Sequence, residues 1–159
     1  MKKSSKGFSL IELLIVVAII LIIAAIAIPN LLRSRIAANQ ASAVGSCRTL
    51  NTAEITYSST YNVGFSQTLG YLAPPTTANP TVSAAGLIDS ILAAGSKSGY
   101  SFTYSPGASD STNHINTYSI WAIPITSSTG TNYYFTDHSG VIRQNSTTNA
   151  ASTDSPLAG

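Results

Sequence analysis

Residues 8–28 form an apolar run of 21 residues interrupted by a single charge, Glu12. As a helix rising about 1.5 Å per residue the run reaches about 31 Å, enough to cross the hydrocarbon core of a bilayer. A carboxylate in a lipid-facing helix costs a few kcal/mol even on mild insertion scales, so Glu12 calls for a partner. Lys2, Lys3 and Lys6 precede the run and no base lies within it. That asymmetry predicts a cytoplasmic N-terminus and export of everything after Pro29.

Three readings account for such a segment. A secretory signal has a basic start, an apolar middle and a small-residue cleavage site, and Ala25-Ile26-Ala27 fits that site. The run is long for a signal, however, and carries an acid near its start. A plain single-pass anchor explains the length and leaves Glu12 and the Gly7-Phe8 junction without a purpose. The third reading uses all of these features together.

Lys6-Gly7-Phe8-Ser9-Leu10-Ile11-Glu12-Leu13-Leu14-Ile15-Val16-Val17-Ala18-Ile19-Ile20 resembles the N-terminus of type IV pilins and of the related type II secretion pseudopilins. The resemblance implies cleavage between Gly7 and Phe8 by a membrane-embedded prepilin peptidase, then methylation of the new Phe8 amine. It further implies that Glu12 of an incoming subunit neutralises the Phe8 amine of a neighbour and so sets the subunit register. The physical chemistry agrees: Gly7 leaves the backbone accessible, and cleavage creates a charge one helical turn from Glu12. Pairing the two charges lets the apolar helices leave lipid and associate with one another.

Pro29 marks a helix kink. Beyond it Leu31, Leu32, Ile36, Ala43, Cys47, Leu50, Tyr57 and Tyr61 recur at three- or four-residue steps, with Arg33, Arg35, Asn39, Ser46, Arg48 and Asn51 on other faces. The pattern predicts one long kinked helix over 8–61, ended by Asn62-Val63-Gly64. At about 80 Å it is much longer than the remaining chain needs, so its first half must be covered by lipid or by neighbouring subunits. Cys47 falls on the apolar stripe and reads as a small buried thiol, and Tyr57 and Tyr61 read as core residues.

The rest of the chain divides by pattern. Residues 62–99 are a connecting region with Ala73-Pro74-Pro75 and Asn79-Pro80 turn signals, containing a short helix over 84–95. From 100 to 145 the period becomes two: Tyr100, Phe102 and Tyr104, then 118–123, then 133–136 and 141–144 about an Asp137-His138-Ser139-Gly140 turn. These predict an antiparallel sheet whose apolar face covers the amphipathic half of the helix, an α+β pilin fold. Residues 146–159 read as a flexible Ser/Thr/Asn/Ala tail. The predicted organisation is therefore leader 1–7, membrane-spanning and assembly segment 8–28, amphipathic segment 29–61, connecting region 62–99, sheet 100–145 and tail 146–159. The head segments Lys97-Ser98-Gly99-Tyr100, Tyr118-Ser119-Ile120-Trp121-Ala122-Ile123-Pro124 and Phe135-Thr136-Asp137-His138-Ser139-Gly140-Val141-Ile142-Arg143 are similar to segments of some bacterial pilins. Many type IV pilins close a C-terminal loop with a disulfide; one cysteine cannot.

Charged residues make up 9% of the chain, few for a soluble protein. With the leader removed, five basic and six acidic residues leave −1, no basic footprint for nucleic acid. His114 and His138 sit in polar loop contexts and read as surface residues, and Asn145-Ser146-Thr147 reads as a chance sequon. No phosphate loop, catalytic carboxylate pair or nucleophile elbow is present, and neither cofactor nor metal is expected. The function expected is a non-enzymatic subunit of a type IV pilus. It would polymerise with copies of itself and meet a prepilin peptidase, a pilus assembly platform and inner-membrane lipid. A type II secretion pseudopilin is the alternative within the family; outside it, the alternative is an anchored or secreted binding domain.

Overall fold

The computed structural model describes residues 7–77 and 79–157. Of the expected leader, all but Gly7 lies outside the described residues. The chain divides into two units, Met1–Arg35 and Ile36–Gly159. Helix α1, Leu10–Tyr61, is continuous through both and contains Pro29. It starts two residues later than expected and ends where expected, at Asn62, whose φ of 53° stops the helix.

In the first unit α1 is apolar on every side from Leu13 to Ile28, and the large apolar side chains from Leu10 to Leu32 are exposed. It is the described helix long and apolar enough to cross a membrane.

In the second unit α1 becomes amphipathic. Ala43, Cys47, Leu50, Ala53 and Tyr57 are buried, while Arg48, Thr49, Thr52, Ile55 and Thr56 face outward. The buried stripe meets an antiparallel sheet of order β1-β2-β3-β4-β5: Ser96–Lys97, Tyr100–Pro106, Tyr118–Pro124, Tyr133–Asp137 and Arg143–Asn145. Register places Phe102 opposite Ala122 and Ala122 opposite Tyr134, so one face carries Tyr100, Phe102, Tyr118, Ile120, Ala122 and Tyr134 into the core. On the outer face Trp121 lies 5.5 Å from Phe135, ring to ring. The fold is α+β, as the change of period predicts.

Three expectations are corrected. The 84–95 helix shrinks to one turn, α2 at Ser90–Ala93, capped where the Asp89 carboxylate accepts the Leu92 N–H. Before it, Ala85, Gly86, Leu87 and Ile88 donate their N–H groups to Tyr71, Ala73 and Leu72, so their backbone is committed to a 3-10 turn at Leu69–Leu72 and not to a helix. The last strand begins at Arg143 instead of Val141, because Asp137 and Ser139 hold a tight turn that ends with Gly140 at φ 74°.

The tail is the third correction. Leu157 donates to the Ile142 carbonyl, the Arg143 guanidinium to the Asp154 carbonyl, and the Asn145 amide to the Asp154 carboxylate, while Ala150 is buried. Residues 146–157 thus cover β5 through hydrogen bonds that composition alone does not show.

Candidate functional site

The sequence-predicted site residues Gly7, Phe8 and Glu12 gather at the start of α1. A Cβ built on Gly7 would meet nothing within 4 Å, and Phe8 is exposed. The bond between them therefore lies in open, non-helical chain. Leu13 donates its N–H to the Ser9 carbonyl at 3.2 Å, the first bond of the helix.

The geometry around Glu12 differs from the expectation in one respect. Phe8 lies outside the helix, so it is not the residue one turn before Glu12. The Glu12 carboxylate instead accepts the Ser9 N–H at 2.9 Å. Ser9 and Glu12 have the Ser-x-x-Glu spacing in which an N3 acid reaches back to the N-cap amide. The acid thus lies in the first turn of the helix. That spacing was readable in the sequence. Glu12 is satisfied locally, by a neutral donor.

Pro29 belongs to α1 and is surrounded by helix on both sides. Its ring removes one backbone donor from the helical ladder. It lies about 30 Å along the helix from Phe8, too far to share a site with it.

Cys47 is fully buried, and burial pushes its thiol up to about 12, which leaves it protonated and unreactive at neutral pH. Tyr57 is buried with its hydroxyl donating to the Val82 carbonyl. His138 is exposed and His114 half-buried in loops. Among the described residues no three His, Cys, Asp or Glu side chains gather where they could hold a metal ion.

Three buried polar residues on α1 escape the sequence reading, which sets Ser46 and Asn51 on outer faces and leaves Glu54 aside; Asn51 and Glu54 make the long-range bonds. Asn51 donates to the Thr136 hydroxyl at 2.8 Å and to the Gly140 carbonyl, and accepts from the Tyr118 hydroxyl. Glu54 is wholly buried and accepts both the Ser66 N–H, at 2.9 Å, and the Ser66 hydroxyl, at 2.6 Å. Burial raises the Glu54 carboxyl above its usual range, and its hydrogen bonds with Ser66 only partly oppose this. The signal was a polar residue at helical spacing from the apolar stripe, Asn51 four positions after Cys47 and Glu54 four after Leu50 and three before Tyr57. They tie the sheet and the first loop to the helix.

The family described as the prokaryotic N-terminal methylation motif matches residues 2–28. Over 37 residues the chain is 65% identical to the type IV wide pilus major component PilA4 of Thermus thermophilus. That likeness covers 23% of this chain and 28% of the relative, so the chain spans little more than a quarter of that protein's length. No solved structure matches. The chain therefore carries the prokaryotic N-terminal methylation motif, at the head of an apolar helix similar in sequence to that of a type IV pilin.

Proposed function

We propose that this chain is the precursor of a bacterial type IV pilus subunit. It is held in the inner membrane by the first half of α1, cut between Gly7 and Phe8 by a prepilin peptidase and methylated on Phe8. An assembly platform then polymerises it with copies of itself into a surface filament. The observation that carries this reading is a methylation motif heading an apolar helical segment whose large side chains are all exposed. Such a segment needs lipid or other helices around it, since each large apolar side chain left in water forfeits about 1.5–3 kcal/mol.

The role of Glu12 follows from its local bond. In the precursor it accepts one neutral amide, and cleavage provides charged amines on Phe8 of the same chain and of neighbours. A charged amine adds a Coulomb attraction that a neutral amide lacks and that grows as water is excluded, so a neighbour's amine is the better partner in a water-poor filament core. Pro29 supplies the kink that lets the helix adjust as it moves from lipid to neighbours.

The test is Glu12→Ala. Processing should continue, with a membrane-bound mature chain beginning at methylated Phe8, and filaments should be lost. Normal filaments from Glu12→Ala would remove that residue's role, and a wild-type mature N-terminus at Ile28 would remove the whole reading. Wild-type protein absent from sheared surface fibres would place it among the pseudopilins instead.

A further inference from the structure

Arg33 and Arg35 follow the apolar run, and both are exposed. Neither has a hydrogen-bond or ion-pair partner among the described residues; the ion pair found there joins Lys97 to Asp89. Within residues 7–35 the only carboxylate is Glu12, about 31 Å along the helix from Arg33. Ser34, between them, turns its hydroxyl back onto the Asn30 carbonyl at 3.0 Å. Two residues apart on a helix, the arginines point about 200° from each other, so they form a collar instead of a one-sided patch.

Their depth is set by arithmetic. With Phe8 at the near edge of the hydrocarbon, Arg33 lies about 37 Å and Arg35 about 40 Å along the helix. The hydrocarbon ends near 30 Å and each headgroup layer adds about 5–7 Å, so Arg33 stands at the outer edge of the far headgroup layer and Arg35 about 3 Å beyond it, within reach of its long side chain. Their stems can lie along the apolar surface while the guanidinium reaches phosphate. A planar guanidinium matches a phosphate with two parallel hydrogen bonds.

We infer that Arg33 and Arg35 bind the phosphates of anionic phospholipids in the leaflet where α1 leaves the membrane, and so fix how far the helix is drawn through it. This rests on the membrane-spanning reading given above.

The experiment uses the full chain in phosphatidylcholine vesicles containing phosphatidylglycerol. Spin-labelled forms of each lipid report which one the helix retains. Wild type should prefer the anionic lipid at least tenfold at low salt, with each arginine contributing about fivefold there and less at high salt. Lys2→Gln/Lys3→Gln/Lys6→Gln should keep the part due to the arginines, and adding Arg33→Gln/Arg35→Gln should bring the ratio close to one. Arg33→Lys/Arg35→Lys should give an intermediate ratio, because charge remains while the paired hydrogen bonds do not. A ratio of one in the lysine variant alone, or no change on removing both arginines, would overturn the inference and leave the span intact. A wild-type chain that does not enter the bilayer would overturn the spanning reading together with this one.

Discussion

Glu54 offers the sharpest test of how the second half of α1 is held. Its carboxylate has no accessible surface and takes two hydrogen bonds from Ser66, whose own carbonyl accepts from the Tyr104 hydroxyl at 2.7 Å. Those bonds fasten the first loop, where Phe65 also donates to the Ile115 carbonyl, against the helix. The other titratable groups acting with Glu54 are the phenols of Tyr57, Tyr104 and Tyr118, and burial raises all three, so they stay neutral through the acid and neutral range. Burial likewise raises the carboxyl of Glu54. A raised folded-state value means that the folded protein holds this proton more tightly than the unfolded chain. The resulting stability is fully present below the unfolded value of about 4.3 and is lost as pH rises from there through the folded value. Inside that window the loss is about 1.4 kcal/mol per pH unit.

Glu54→Gln removes the proton and keeps an acceptor for the Ser66 N–H, while the Ser66 hydroxyl retains the Thr68 carbonyl at 3.1 Å as an alternative. It should therefore flatten the pH slope at a cost within about 1 kcal/mol near neutral pH. Glu54→Leu leaves the Ser66 N–H buried without an acceptor, a loss of about 1–3 kcal/mol. The measurement is urea unfolding of the full chain in detergent from pH 4 to 8, followed by Trp121 fluorescence. The Asp89 and Asp110 carboxyls, held below their usual range by hydrogen bonds, contribute the opposite slope, and only as pH falls below about 4. Identical slopes for wild type and Glu54→Gln, or a Glu54→Leu protein as stable as wild type, would refute the reasoning.

Gly64→Ala should destabilise the second unit by at least about 2 kcal/mol, because Gly64 has φ 79° and an added Cβ would fall 2.3 Å from the Ile115 carbonyl oxygen; equilibrium unfolding checks this. Cys47 should resist thiol reagents in the native protein at pH 8 and react once urea unfolds it, since burial holds its thiol at about 12. Fast native labelling would show that the stripe of α1 it occupies opens from the sheet.

The elements that were legible in the sequence share one property: a period sustained long enough for its covering partner to be inferred. The 3.6-residue stripe through Ala43, Cys47, Leu50 and Tyr57 gave the buried face of α1, and the alternation at Tyr100, Phe102 and Tyr104 gave β2 with its inward face. Where a few residues decide, pattern was the weaker guide. The 84–95 segment has helical spacing, yet backbone bonds to the 3-10 turn claim its first half. The 146–157 segment has the composition of a loose tail, yet bonds donated to Asp154 by Arg143 and Asn145, and by Leu157 to the Ile142 carbonyl, attach it to β5 and the residue before it.

Glu54 and Asn51 were hidden for a related reason. A polar residue on an apolar stripe looks like a gap in the pattern until its partner is known, and Ser66 lies 12 residues away while Thr136 lies 85 away. Glu12 is the converse case. Its local partner, Ser9, is three residues away and could be read from spacing alone. The two acids of α1 thus solve the same problem of a carboxylate among apolar residues at opposite ends of one helix. Glu54 is enclosed by its own fold and accepts from a residue of the same chain. Glu12 has only a backbone amide in the first turn, and everything around it is exposed. A helix whose far end is completed internally and whose near end is left to be completed by something else is the form expected of a chain that folds once and then assembles.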